Sequence, residues 1–134
     1  MLRVRVEAPC RPTEDPAKVR RAVLNLFPDL VFGPADDRVV GTTSSLDTLR
    51  ERIRAQRIRD TARGQFLAGR FRDRTRVALS KQAAFRGVVN FAVGSPLGEI
   101  EVEIESEDLD AVIDYVAEST VHRELRPSGR SEGT

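Results

Sequence analysis

The chain has no tryptophan, one tyrosine, one cysteine and one histidine. With Cys10 alone, an internal disulfide is excluded. With His122 as the only imidazole, a Cys/His zinc site within one chain is nearly excluded too. There is no Gly-x-Ser-x-Gly elbow and no phosphate-cradling glycine loop, so no catalytic residue is assigned and no cofactor or metal is expected. No apolar run approaches the roughly 20 residues that a membrane helix needs. An alternating pattern begins at Leu2, so no secretory signal is expected. These absences point to a reducing, cytoplasmic setting without membrane contact.

What the chain does have is separated charge. Its 134 residues fit one domain large enough to bury a continuous core, and the net charge is only +1. From Asp47 to Arg86, however, twelve Lys/Arg face four Asp/Glu; from Gly87 to His122 there are nine Asp/Glu and no Lys/Arg. Blocks of this size can steer a charged partner, or they can neutralise each other across the fold. Both readings stay open at this point.

The patterning predicts a series of short elements. Leu2, Val4, Val6 and Ala8 alternate with charged residues, a strand buried on one face. Asp15-Pro16 is a helix start, and Val19, Ala22, Val23, Leu26 and Phe27 form its apolar stripe, with Lys18, Arg20 and Arg21 on the exposed side. Leu30–Phe32 and Val39-Val40 flank a turn-rich loop, which reads as a hairpin. Ser44 or Ser45 then caps a helix carrying Leu46, Leu49 and Ile53. The five-residue step from Ile53 to Ile58 breaks the stripe, so two helices are expected with a joint near Arg54–Arg57 and a stop at Gly69. Strands follow over Arg74–Ser80, Val88–Val93 and Glu99–Glu105, with a turn at Gly94–Gly98. Ser106 caps a last helix with Leu109, Val112, Ile113 and Val116 inside.

The expected order is β-α-β-β-α-α-β-β-β-α, a two-layer α+β domain. Its last three strands should form an antiparallel meander, with helices on the other face. With the first strand beside the glutamate strand, Arg3 and Arg5 would pair with Glu101 and Glu103. The domain spans residues 1–120, and 121–134 form a polar tail expected to be disordered.

The run Leu79-Ser80-Lys81-Gln82-Ala83-Ala84-Phe85, with Gly87 and Asn90-Phe91 after it, resembles the signature of an uncharacterised archaeal protein family. Supporting matches are Pro12–Asp15, Leu24–Pro28, Gln56–Arg63 and Leu97-Gly98, so the likeness covers roughly residues 2 to 120. The resemblance implies a fold similar to that of ribosomal protein L-five. It also implies RNA as partner and a possible homodimer, and it brings no reaction.

The candidate RNA-binding residues are cations. Arg50, Arg54 and Arg57 recur at i, i+4, i+7 on one helical face, and Arg59 and Arg63 make a further i, i+4 pair. Arginine suits phosphate because its planar fork donates two hydrogen bonds at once. A solvated face partly paired with acids is the competing explanation. In the central loop, Lys81 and Arg86 can take phosphates, and Gln82 can read a 2′-hydroxyl or base edge, or else satisfy buried backbone. Phe85, lying between apolar strands, reads as core, with base stacking the rarer use. The glutamate row from Glu99 to Glu105 reads as a solvated strand face rather than a cation site. The expected function is RNA binding through phosphate backbone and shape; the alternative is a protein-interaction module or a homodimer with complementary charged surfaces.

Overall fold

Alternation along the strands sets the two-layer arrangement. In β1 (Arg3–Pro9), Val4, Val6 and Ala8 are buried while Arg3 and Arg5 are exposed. The computed structural model describes residues 1–92 and 99–119. Within them follow α1 (Pro16–Leu26), β2 (Val31–Gly33), β3 (Arg38–Thr43), α2 (Asp47–Ala55) and α3 (Arg59–Ala68). Next come β4 (Arg70–Phe71), β5 (Arg74–Leu79), α4 (Lys81–Phe85), β6 (Ile100–Glu105) and α5 (Leu109–Val116).

The fold is α+β: one antiparallel six-stranded sheet in the order β2-β3-β1-β6-β5-β4, with five helices among the described residues. Val77 and Leu79 of β5 and Ile100, Val102 and Ile104 of β6 join the β1 residues on one buried face. The stripes of α1 (Val19, Ala22, Val23, Leu26), α2 (Leu49, Ile53), α3 (Ala62, Phe66) and α5 (Leu109, Ile113, Val116) pack onto it. Burying this set is the main stabilising term, at about 25 cal/mol per Å² of apolar area.

The opposite sheet face is charged and self-neutralised. Glu7 takes Arg5 at 2.9 Å and also Arg38. Burial pushes the Glu7 carboxyl up, but these two hydrogen bonds outweigh it and hold the group below its ordinary value. The first strand does lie beside the glutamate strand, with Arg5 opposite Glu103. Arg3, however, stands opposite Glu105, and Arg5 turns to Glu7. Glu103 is instead approached by Arg74 at 3.4 Å and Arg76 at 3.3 Å from the neighbouring β5.

The structure departs from the sequence reading at several places. Residues 88–92 form no strand between β5 and β6; those two pair directly from Arg74↔Glu105 to Leu79↔Ile100. The segment keeps one bridge, Leu79↔Phe91, on the other edge of β5. Around that bridge the Ser80 N–H reaches the Asn90 carbonyl and the Ala92 N–H the Ala78 carbonyl, but the earlier groups are diverted: the Val88 N–H goes back to Ala83 and the Val89 N–H to Gln56. Lys81–Phe85 is a short helix rather than a loop, capped by Ser80, whose Oγ accepts from the Ala83 N–H at 3.2 Å. Beyond Gly69, the chain forms β4 before β5; an added Cβ at Gly69 would meet the Arg76 carbonyl oxygen at 2.0 Å, so this close approach requires glycine. Leu46, not a serine, is the N-cap of α2, and Ser45 Oγ accepts the Asp47 N–H at 3.3 Å. Asp108, not Ser106, caps α5. The expected turn at Gly94–Gly98 and the tail over 121–134 lie outside the described residues.

Candidate nucleic-acid interface

The basic segment divides into arginines that are used inside the chain and arginines that are not. Arg59 reaches Glu118 at 2.8 Å, Arg63 reaches Asp114 at 2.6 Å and the Ala117 carbonyl at 3.2 Å, and Arg70 pairs with Asp110. Their carboxylate partners all lie on or just after α5, so the acidic block neutralises this part of the basic one. Arg50 is also engaged: its Nε donates to the Tyr115 carbonyl at 2.9 Å and its guanidinium lies 4.8 Å from the Tyr115 ring centre. The Tyr115 hydroxyl in turn donates to Asp47, a bond that raises its pKa above the ordinary value.

Arg52, Arg54 and Arg57 are exposed and make no ion pair with a described residue. Their separation from Arg59 and Arg63 comes from the helix joint. Arg57 has φ 59°, the left-handed region, with its N–H on the Arg54 carbonyl at 3.1 Å and the Ile58 N–H on the Ile53 carbonyl at 3.1 Å. This is a Schellman end to α2, with arginine where glycine or asparagine is usual. The turn breaks the single helical face expected for Arg50, Arg54 and Arg57. Arg54 and Arg57 then line a cleft of ≈ 370 Å³ together with Arg59 and Asp60.

α4 is the hub of the second group. Its first residue, Lys81, was expected to meet phosphate, but its ammonium is enclosed. Nζ donates to the Pro9 carbonyl at 2.7 Å and to both Glu14 carboxylate oxygens at 3.1 Å, and the residue is 7% exposed. The Arg11 backbone N–H, against the opposing effect of burial, holds the Glu14 carboxyl below its ordinary value, with Lys81 adding to the shift. Gln82 and Arg86 do face solvent. So does Phe85, at 42% exposure, contrary to its expected place in the core: the five-residue helix turns it away from the sheet.

Two side chains that the sequence reading did not single out, Asn25 and Gln56, hold this hub, and the Arg52 side chain lies against it. Asn25 Nδ2 donates to the Ala84 carbonyl at 2.9 Å and the Phe85 carbonyl at 3.3 Å, closing the C-terminal end of α4 onto α1. Gln56, rather than Gln82, satisfies buried backbone, exchanging two 2.8 Å hydrogen bonds with Val89. Arg52 lies over Gly87, whose φ of +71° ends α4, with its guanidinium 3.5 Å from where a side chain would begin. Lys18, Arg21 and Asn25 recur at i, i+3, i+7 on α1, so both exposed cations share the stripe that Asn25 presents to α4. That spacing was the available signal for them.

The exposed cations Lys18, Arg21, Arg52, Arg54, Arg57 and Arg86 therefore belong to the surface around α4 and the α2–α3 joint. Among the described residues, no group of three or more His, Cys, Asp or Glu is placed to hold a metal ion, and no helix is long and apolar enough to cross a membrane.

A family model described as RNA binding matches residues 3–106, which include β1 through β6 and this whole surface. The chain belongs to that family, the archaeal UPF0201 proteins. A UPF0201 protein of Methanothermobacter thermautotrophicus is 48% identical over 122 residues, covering 87% of this chain and 92% of the relative. One from Thermococcus onnurineus is 44% identical over 124 residues, covering 87% and 92%. The crystal structure of the UPF0201 protein from Methanococcus jannaschii is 36% identical with a TM-score of 0.80, covering 88% of this chain and 94% of the other. A second UPF0201 crystal structure matches with a TM-score of 0.83 at 33% identity over the same shares. UPF0201 membership thus rests on sequence and fold together.

Proposed function

We propose that this UPF0201 chain is a non-catalytic, cytoplasmic RNA-binding domain that holds phosphate backbone through the cationic surface around α4. The observation that carries the reading is the division of the arginines. Those facing α5 are neutralised, whereas Arg52, Arg54, Arg57 and Arg86 remain exposed without an ion pair among the described residues, and Lys18 and Arg21 share the α1 stripe that carries Asn25 to α4. The self-paired outer sheet face offers no comparable field, so RNA is met on the helical side. The description of the matching family as RNA binding supports the same partner. A likeness to the ribosomal protein L-five fold belongs to this reading and is supported by the antiparallel sheet covered by helices on one face.

A second reading is a homodimer. Among the described residues β2 is the edge strand of the sheet, with Val31 70% exposed, which favours pairing along that edge. A dimer of complementary charges has less support, because Asp110, Asp114 and Glu118 already take arginines of the same chain.

The test is anisotropy titration against duplex RNA, single-stranded RNA and duplex DNA at several salt concentrations. Release of condensed counterions makes affinity for the bound nucleic acid fall steeply with salt. No salt-dependent binding to any of the three removes the proposal.

A further inference from the structure

We infer that Phe85 is a stacking platform for an unpaired nucleobase, so that the RNA taken by this surface is single-stranded or looped. The inference rests on the RNA-binding reading and narrows its substrate. The exposed aromatic side chains among the described residues are Phe71, Phe85 and Tyr115. Tyr115 is covered by Arg50 and bonded to Asp47, and the Arg72 guanidinium lies 5.3 Å from the Phe71 ring centre. Among the described residues, Phe85 alone of the three has neither a ring nor a cation over it.

Its backbone is fixed from both sides. Asn25 holds the Phe85 carbonyl and Gln56 holds Val89, so the ring is displayed from a clamped segment rather than a loose loop. Gln82 stands one turn before it and is exposed, Arg86 follows directly, and Val88 adds a second exposed apolar surface at 37%. A rigid, open phenyl ring amid cations that make no ion pair with a described residue suits a polyanion that carries flat apolar faces. Bases inside an A-form duplex are stacked on one another and lie beyond reach of a side chain, whereas unpaired bases can leave the strand and lie on an aromatic ring. The local excess of cations over acids favours RNA over an ordinary protein ligand.

The chain contains no tryptophan, so Phe85→Trp places a single indole reporter at the platform. The probes are a short single-stranded RNA, the same strand carrying abasic positions, and the strand annealed to its complement. The single strand is expected to quench the F85W emission, while the abasic strand and the duplex leave it nearly unchanged. Phe85→Ala should weaken single-strand binding by roughly 5- to 150-fold, the equivalent of ~1–3 kcal/mol per stacked base at ~1.4 kcal/mol per tenfold, with duplex affinity and salt slope unaltered. Circular dichroism melting of F85A, expected to match the wild type because the ring is half open to solvent, confirms that the folded state is being compared. Equal losses for single strand and duplex, no loss for either, or identical quenching by the abasic strand would overturn the stacking role while leaving backbone binding in place. No binding of any RNA by the wild type would overturn both.

Discussion

Gln56 and Val89 exchange two hydrogen bonds across 33 residues of chain: Gln56 Nε2 donates to the Val89 carbonyl at 2.8 Å, and the Val89 N–H donates to Gln56 Oε1 at 2.8 Å. A side-chain amide stands here where a neighbouring strand would otherwise supply both groups. It ties the C-terminal cap of α2 to the segment after α4, and so holds the two halves of the cationic surface in one position.

Gln56→Ala leaves both backbone groups of Val89, a residue 2% exposed, without their partner. Buried polar groups without partners cost about 1–3 kcal/mol each, so a loss of about 2 kcal/mol or more is expected as a lower urea midpoint. Gln56→Glu keeps the acceptor and loses the donor, and should recover only part of it. Faster amide exchange at Val89 in Q56A would place the effect at this clamp, and an unchanged midpoint would mean that water replaces the amide.

Lys81 is the contrary case of a cation used for folding. Lys81→Met keeps the apolar stem and removes the ammonium, stranding the Pro9 carbonyl and the Glu14 carboxylate. Charged hydrogen bonds are worth about 1.5–3 kcal/mol each, so K81M should lose about 2 kcal/mol of stability while the folded protein keeps its RNA affinity. The pH dependence follows from Glu14, whose folded pKa lies below the ordinary 4.5. Its contribution is fully present above the ordinary value and is lost as pH falls through the lowered one. Wild-type stability should therefore decline with acid through this window. In K81M the decline should be shallower but still present, because the Arg11 N–H remains on Glu14 at 2.9 Å. Loss of RNA affinity without loss of stability would return Lys81 to the interface.

The contrast between these two residues shows which parts of the molecule were legible in the sequence. β1, β5 and β6 could be read because one face of each is charged, so alternation marks the buried side of each strand without any knowledge of its neighbours. The break between α2 and α3 could be read from the five-residue step between Ile53 and Ile58. The fate of Lys81 could not, because its partners Pro9 and Glu14 lie 72 and 67 residues away. A five-residue helix is too short to show a period, so Phe85 reads as core from the apolar strand patterns on either side of it although it is exposed. Mutual neutralisation of the charge blocks was one of two open readings, and among the described residues it holds for Arg59, Arg63 and Arg70 but not for Arg52, Arg54 or Arg57. The helix stripe alone does not carry that distinction, since it depends on where α5 packs.

Alanine substitutions should separate the two arginine sets. Replacing Arg52, Arg54 and Arg86 together should weaken binding to RNA of any sequence and lower the logarithmic salt slope by up to about one unit per lost contact. Replacing Arg59 and Arg63 should act first on stability, by about 0.5–1 kcal/mol for partly exposed pairs, because it removes their ion pairs with Glu118 and Asp114. Its effect on the salt slope should be smaller. Equal slopes for the two sets would mean that the pairs with α5 open when RNA binds.

Arg57 allows stability and binding to be moved in opposite directions. Its φ of 59° is one that L residues adopt at a cost of roughly 1–2 kcal/mol and that glycine adopts freely, while glycine gives back part of the gain through unfolded-chain entropy. The turn itself needs only backbone: the Arg57 N–H reaches Arg54 and the Ile58 N–H reaches Ile53, and neither bond uses the guanidinium. Arg57→Gly should therefore raise stability by about 0.5–1 kcal/mol, and Arg57→Asn by less, since asparagine keeps a Cβ and with it part of the cost of this region. Both should weaken RNA binding and reduce the salt slope by up to about one unit, because a cation lining the Arg54 cleft is gone. Urea unfolding and anisotropy on the same preparations read the two effects side by side. A stabilised R57G that binds RNA as tightly as the wild type would take Arg57 out of the interface, whereas a destabilised one would show that the guanidinium anchors the joint.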